Sequence, residues 1–389
     1  MSREAVIVSA VRTAIGRQGG SLATVPAHVF GAEVIKEALN RVDVSADSVD
    51  DVIMGNVLSG GGNIARLSAL QTGLSINIPG LTVDRQCGSG MNAVAIAAQA
   101  IKAGAGDIYV AGGIESMSRA PYLLERAEKP YSASPPKFRK SQHSPEEIGD
   151  PPMGITAENL AKQYKISREE QDEYAYLSQK RMAEAVKEDR FKEQIVPITI
   201  PVRKGTPVVF AQDEHPRPET TLEGLAKLKP AFLEGGTVTA GSSSGLNDGA
   251  SALVVMSKEK ADELQLKPLA YVRESTVAGV DPNIMGIGPV PATKKLLEKT
   301  GLSLDGIDFV ELNEAFAAQV IAVNRELNIP LEKLNVNGGA IAHGHPLGAT
   351  GAILVTKAVY ELMRRKGRFA IITACIGGGQ GIAVLIEKA

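Results

Sequence analysis

Cys87, His345 and Cys375 are the residues whose types and settings could do covalent chemistry. Cys87 lies in Asp84-Arg85-Gln86-Cys87-Gly88-Ser89-Gly90-Met91-Asn92, between the apolar run Leu81-Thr82-Val83 and the small-residue run Ala93–Ile101. That order reads as strand, turn and helix. It places the thiol near the unpaired N–H groups and positive dipole end of the helix, a setting expected to favour a thiolate nucleophile. His345 occupies a comparable turn in Gly344-His345-Pro346-Leu347-Gly348, with Pro346 suited to the first helical position. The same dipole disfavours imidazolium, so His345 is expected to be neutral and able to accept a thiol proton. Taken alone it reads first as a helix-capping residue; His343, two positions earlier, is the more expendable of the pair. Cys375 ends an apolar strand just before Gly377-Gly378-Gly379. Glycines there let backbone N–H groups approach a ligand oxygen, as an oxyanion hole requires, although a buried strand-end cysteine is the plain alternative. Asn313 follows the apolar run Phe309–Leu312 and could orient a water or a carbonyl, or simply cap a helix.

The elements that must position these groups occur twice. Ala5-Val6-Ile7-Val8 corresponds to Ala270-Tyr271-Val272-Arg273, Asp51–Asn56 to Asp308–Asn313, Cys87 to His345, and Asp107–Gly113 to Phe369–Cys375, at offsets of 265, 257, 258 and 262. Offsets this constant over four elements indicate duplicated domains, not solenoid units. The chemistry differs between copies: a cysteine faces a histidine, and Gly113 faces Cys375.

Residues 1–118 alternate strand-like and helical runs, as in an α/β layered domain with helices on a sheet. From 119 to 246 prolines and charges are dense and periodic strands fade. Within that stretch Ser167 and Glu170 form a capping box opening a helix over Arg168–Lys187. The segment reads as an insertion whose loops suit binding. Residues 247–268 resume the first half, and 269–389 form the second. The second half contains a helix expected over Ala349–Lys366, stopped by Gly367, and a closing hairpin of Phe369–Ala374 and Ile382–Glu387. The fold class is therefore α/β, duplicated and layered, with an inserted loop domain.

At 389 residues, 44% hydrophobic and 22% charged, the composition is that of a globular protein with room for two or three domains. A net charge of −2 gives no support to nucleic-acid binding. No apolar stretch reaches the roughly 18 residues of a membrane span. Two cysteines in glycine-rich turns do not make a disulfide framework and suit a reducing cytoplasm. Neither a metal centre nor a permanently bound cofactor is expected. Gly88-Ser89-Gly90-Met91-Asn92-Ala93 does fit the dinucleotide pattern G-x-G-x-x-A, with Glu115 downstream as a ribose-binding acid. Against that stand the thiol in the turn, the His-Pro of the second copy, and the insertion where a Rossmann half would continue.

Together these segments resemble the thiolases, over the whole chain. The resemblance rests on Asp84–Asn92, on Asn313-Glu314-Ala315-Phe316, on Asn335-Val336-Asn337-Gly338-Gly339-Ala340 leading to Gly344-His345-Pro346, and on Cys375-Ile376-Gly377-Gly378-Gly379. It implies an α-β-α-β-α fold and an acyltransferase acting on coenzyme A thioesters through an acyl-cysteine. Cys87 would carry the acyl group and His345 would accept its proton. Cys375 would move a proton on carbon, and His345 with a water on Asn313 would stabilise the enolate. The N–H groups of Cys87 and Gly377 would form the second oxyanion hole. The insertion would bind CoA, with Arg217 on the adenine, Ser244 on the pantetheine, and Phe232 and Phe316 as its apolar wall. Met153 would lie in the pantetheine loop. Lys227 and Lys229 are read as solvated charge. A homodimer or homotetramer, lipid metabolism and the cytoplasm are also implied.

One position departs from the biosynthetic pattern. Pro152 stands before Met153-Gly154 where many acetoacetyl-CoA thiolases have histidine, closer to degradative 3-ketoacyl-CoA thiolases, whereas Ser244–Gly249 looks biosynthetic. Acetyl-CoA condensation and longer-chain thiolysis therefore both stay open. A carrier-protein ketosynthase would pair its cysteine with two histidines, which the Cys375 turn opposes. A silent lipid carrier of the same fold would not need all four polar positions.

Overall fold

The computed structural model describes residues 3–389 except 60, 61, 128, 130, 132–134, 140, 203 and 204. The first half contributes β1 (Ala5–Thr13), β2 (Gly16–Arg17), α1 (Ala27–Asn40), β3 (Asp51–Gly55), α2 (Ile64–Thr72), β4 (Gly80–Val83), α3 (Ser89–Lys102) and β5 (Ile108–Ser116). Next come α4 (Met153–Gln163), α5 (Arg168–Lys187), β6 (Ile195–Val196), β7 (Ile198–Ile200), β8 (Val208–Phe210) and α6 (Leu222–Ala226). The chain then forms β9 (Asn247–Ser257), α7 (Lys258–Glu263), β10 (Ala270–Gly279), α8 (Pro289–Thr300), β11 (Phe309–Leu312) and α9 (Ala317–Leu327). It ends with α10 (Ala340–His343), α11 (Leu347–Arg365), β12 (Phe369–Ile376) and β13 (Gln380–Lys388).

The strands run β4-β3-β5-β9-β1 in one half and β11-β12-β13-β10 in the other. The directions repeat too: β3–β5 and β11–β12 are parallel, whereas β5–β9, β9–β1, β12–β13 and β13–β10 are antiparallel. Even the ladder irregularity repeats. The extra residue is Val8 in β1 and Arg273 in β10, equivalent positions of the two copies. Along these two strand series β4 has no full counterpart, its place being reduced to a single bridge between Val310 and Leu334. Strands β1 and β10 meet through Val6↔Tyr271 and Ile7↔Ala270, joining the halves.

Strands buried on both faces read as near-continuous apolar runs, and β1, β5 and β9 are buried at every residue. Val6, Val52 and Val254 pack outward against Phe30, Val34 and Ile35 of α1. Val310, Leu312 and Leu385 pack outward against α8 and α9. Between the sheets lies a shared core in which Ile53, Leu253 and Ile372 meet Met91 and Val94 of α3 and Leu354 and Val355 of α11. The layers are thus α-β-α-β-α, with α3 and α11 at the centre. These two helices touch backbone to backbone. A Cβ on Gly90 would lie 2.8 Å from Ala352 N, and one on Gly351 would lie 2.4 Å from Met91 N. No larger residue allows that approach, and it brings the starts of both helices, with Cys87 and His345, to one place.

Two expectations change. Helix α11 starts at Leu347, with Pro346 as its N-cap instead of its first residue, and it ends at Lys366 in the left-handed conformation, one residue before Gly367. The inserted segment also carries strands: β6 adds in parallel to β1, and β7 pairs with β8. The capping box of α5 forms as expected, Ser167 accepting from Glu170 N–H and Glu170 accepting from Ser167 N–H. Among the described residues no helix is long and apolar enough to cross a membrane.

Candidate active site

Cys87 sits one residue before the N-cap of α3, preceded by Gln86 in a left-handed conformation (φ 46°). That turn aims the thiol at the glycine turn of the other half. A Cβ on Gly88 would lie 2.7 Å from Ile376 Cδ1, so the two segments are in direct contact. The Gly377 N–H points at the Cys87 sulfur. Cys87 is 8% exposed and Cys375 fully buried. Burial pushes the Cys87 thiol up to about 11, more than the Gly377 N–H lowers it. The expectation that the helix start favours a thiolate is thus outweighed here, because desolvation is the larger effect. Burial likewise raises Cys375, and a charge on neighbouring Cys87 would raise it further.

His345 is buried, and desolvation brings it down to about 4. It is neutral, as expected, with burial as the cause. Its tautomer follows from its neighbours. The Thr350 hydroxyl donates its one proton to Pro346 O at 2.9 Å, so it accepts from His345 Nδ1–H at 2.7 Å. The lone pair is therefore on Nε2, which faces Asn313 Nδ2 at 3.4 Å. Asn313 is fully buried, and its Oδ1 has no partner among the described residues. His343 instead donates from Nδ1 to Gly344 O at 2.8 Å.

Glu115, the acid in the dinucleotide pattern, is buried at the end of β5 and already occupied. It accepts from the N–H groups of Val57, Leu58 and Ser59 and, at 2.9 Å, from Gly348 N–H in the first turn of α11. A carboxylate so used has no capacity left for a ribose.

A cavity of 650 Å³ opens beside this cluster, lined by Arg217, Phe232, Ser244, His215, Leu225 and Leu228 among others. Phe232 and Phe316 stack edge to face at 5.8 Å. The segment carrying His215 and Arg217 is anchored at Asp213, which takes two hydrogen bonds from buried Arg12 and one from Ile15 N–H. Burial holds His215 down to about 4. Lys227 and Lys229 are exposed and do not line the cavity. Met153 opens α4, and its thioether lies 3.7 Å from where a Cβ on Gly377 would be; Pro152 before it is an exposed N-cap. The ten residues singled out from the sequence thus fall into two adjoining groups. Cys87, Cys375, Gly377 and Met153 gather at the glycine turn, with His345, just before α11, facing Asn313, while Arg217, Phe232 and Ser244 line the cavity and Phe316 stacks on Phe232.

Residues 5–259 match the family model for the thiolase N-terminal domain, and residues 266–388 match that for the thiolase C-terminal domain. The chain belongs to the thiolase family. It is 48% identical over 396 residues to the acetyl-CoA acetyltransferase of Syntrophomonas wolfei subsp. wolfei, with 100% of both chains covered. The Bacillus anthracis acetyl-CoA acetyltransferase structure superposes with a TM-score of 0.96 at 46% identity, covering 100% of this chain and 99% of that one. Human mitochondrial 3-ketoacyl-CoA thiolase in complex with CoA gives 0.93 at 44% identity, covering 100% and 98%. The thiolase is an acyltransferase.

Sequence reasoning assigned no role in this thiolase to Thr350, Asn247 or Gln86. Thr350 follows His345 by five residues, one turn into the helix, a spacing that could have pointed to it. Nothing local marks Asn247, which reaches the site from β9.

Proposed function

We propose that this thiolase catalyses the reversible Claisen condensation of two acetyl-CoA to acetoacetyl-CoA and CoA, or the reverse thiolysis, through an acyl group on Cys87. One observation supports the reading: the two thiols and the Gly377 N–H meet at one turn, and the start of α3 beside Cys87 lies against the start of α11 beside His345, a Cβ on Gly90 falling 2.9 Å from Gly348 O. At rest the thiols and the imidazole are neutral, so the nucleophile forms only as substrate is attacked. The Cys87 sulfur bonds to the thioester carbon while its proton passes to His345 Nε2. The N–H groups of Cys87 and Gly377 hold the oxyanion. The CoA sulfur leaves with the proton of Cys375. The Cys375 thiolate then takes a proton from the methyl of a second acetyl-CoA, whose enolate oxygen faces His345 and a water on Asn313. The new carbanion attacks the acyl carbon, and Cys87 departs, recovering its proton from His345. Two thiols are needed because one is blocked as a thioester while the other moves a proton on carbon.

The CoA part is assigned to the cavity beside the cluster, with Arg217 on the adenine, Ser244 on the pantetheine and Phe232 and Phe316 as wall. CoA appears in the names of the relatives and in the human complex. Residues 1–118 with 247–268, 119–246 and 269–389 are taken as its three domains. A homodimer or homotetramer is favoured by the sheet edge at β4, where Leu67, Leu70, Ile76 and Leu81 are exposed. A cytoplasmic place in lipid metabolism completes the reading. The second reading is a degradative 3-ketoacyl-CoA thiolase with longer-chain preference. It is favoured by Pro152, which offers no donor, and by the Met153 thioether beside Gly377. Thiolysis and condensation kinetics on 3-ketoacyl-CoA from four carbons upward test both. Cleavage of acetoacetyl-CoA and of longer chains is expected. Cleavage of acetoacetyl-CoA alone would reject the second reading, and no release or uptake of CoA in either direction would reject both.

A further inference from the structure

Asn247, the first residue of β9, is fully buried, and its side-chain amide is the joint of three chain segments. Its Oδ1 accepts from the backbone N–H of His345 at 2.9 Å. Its Nδ2 donates to Gly16 O at 2.9 Å and faces His215 Nδ1 at 3.5 Å. The orientation of the amide is fixed by these partners. Turned over, Nδ2 would meet the His345 N–H and Oδ1 would meet the Gly16 carbonyl, donor against donor and acceptor against acceptor. The amide also lies flat on Gly344. A Cβ there would be 2.5 Å from the amide carbon, oxygen and nitrogen alike, and Gly344 has φ 99°. The turn that presents His345 is therefore pressed against Asn247 on one side and hydrogen-bonded to it on the other.

We infer that Asn247 is a positioning residue for His345, and that it links the imidazole's placement to the cavity segment carrying His215. This rests on the reading of His345 as the acceptor of the Cys87 proton. Thr350 sets the tautomer and ring of His345, whereas Asn247 sets where its backbone stands. His215 packs against the neighbouring turn as well, since a Cβ on Gly245 would lie 2.2 Å from its Cε1. A shift of His215 when the cavity fills is thus felt at the Asn247 amide, and through it at His345.

Two variants and two measurements test this. Asn247→Ala leaves the His345 N–H without its acceptor. It should lower kcat by about a hundredfold, the size of loss that a 1 Å misplacement brings, with KM for CoA thioesters changed less than about threefold. Asn247→Asp keeps the shape and the acceptor for the His345 N–H, loses the donor to Gly16 O, and sets a carboxylate at the turn that presents the imidazole. It should keep more activity than Asn247→Ala, with the acid limb of kcat/KM moved up by about one pH unit. The second measurement is the pH dependence of Cys87 alkylation by iodoacetamide, which needs no thiolase substrate. Its midpoint should fall by about one unit in Asn247→Ala, because the Nε2 lone pair of the neutral imidazole holds the Cys87 thiol proton and a displaced ring no longer does. Folded Asn247→Ala with wild-type kcat and an unmoved alkylation midpoint would overturn the inference. If Asn247→Ala does not fold, an unmoved acid limb in Asn247→Asp would do the same. Wild type that alkylates normally yet catalyses no thiolysis would contradict the proposed reaction instead, and the alkylation midpoint of the variants would still decide the role of Asn247.

Discussion

The Thr350 hydroxyl lies 2.7 Å from His345 Nδ1 and donates its own proton to Pro346 O. A single threonine thereby leaves the imidazole lone pair on Nε2, beside Asn313. Removing the hydroxyl frees the ring to adopt the other tautomer and to turn. Thr350→Val, nearly isosteric, should lower kcat by about ten- to a hundredfold with little change in KM. Thr350→Ser should recover most of the activity. Equal activity in Thr350→Val and wild type would show that the ring is held by other contacts.

Cys375 should govern proton transfer on carbon and not acylation. It ends β12, is fully buried, and is raised by desolvation and by charge on Cys87. Cys375→Ser should still take up an acetyl group from acetyl-CoA, yet lose condensation and exchange of the acetyl methyl protons by about a thousandfold. Condensation at near wild-type rate in that variant would contradict the division of labour.

Arg217 is exposed at the cavity mouth, away from the thiols. Arg217→Ala should raise KM for CoA thioesters by about tenfold, while kcat on a truncated pantetheine substrate stays within about twofold of wild type. An equal loss on both substrates would mean that Arg217 acts through folding.

The histidines give the protein a definite acid profile. His345 and His215 stand at about 4 in the folded chain against an ordinary 6.5. Between pH 6.5 and 4 the unfolded chain binds more protons than the folded one, so stability falls as pH drops through that window. Each such group contributes a slope of about 1.4 kcal/mol per pH unit. The thiols act at the other end. Cys87 is raised to about 11 from 9.0, so its contribution is lost as pH rises through that interval. Thermal unfolding between pH 4 and 7 should show the acid slope, and His215→Gln should flatten it by about one proton. An identical slope in that variant would place the protons elsewhere.

The chemistry of the site was legible because a duplication exposes it: β1 aligns with β10 at an offset of 265, and a nearly equal offset of 258 aligns Cys87 with His345. Helix α5 was legible to its ends because Ser167 and Glu170 are local signals. The ionisation of Cys87 was not. The helix dipole can be read from sequence, but the desolvation that outweighs it depends on Ile376 and the glycine turn closing over the thiol from the other half. Asn247 and Glu115 were hidden for the same reason, since each is defined by a partner in the other half, His345 and Gly348. Strand β6 of the insertion was missed because it borrows its ladder from β1. Such relationships are set by tertiary approach and have no local period.

The central claim is that the acyl group travels on Cys87. Wild type should be incubated with acetyl-CoA, quenched in acid and digested, and its peptides read by mass spectrometry, with Cys87→Ser and Cys375→Ser beside it. The account predicts one acetyl group on the peptide containing Cys87 in wild type and in Cys375→Ser, and none on a cysteine in Cys87→Ser. Acetyl found only on Cys375, or on neither cysteine while acetoacetyl-CoA is still being formed, would contradict it.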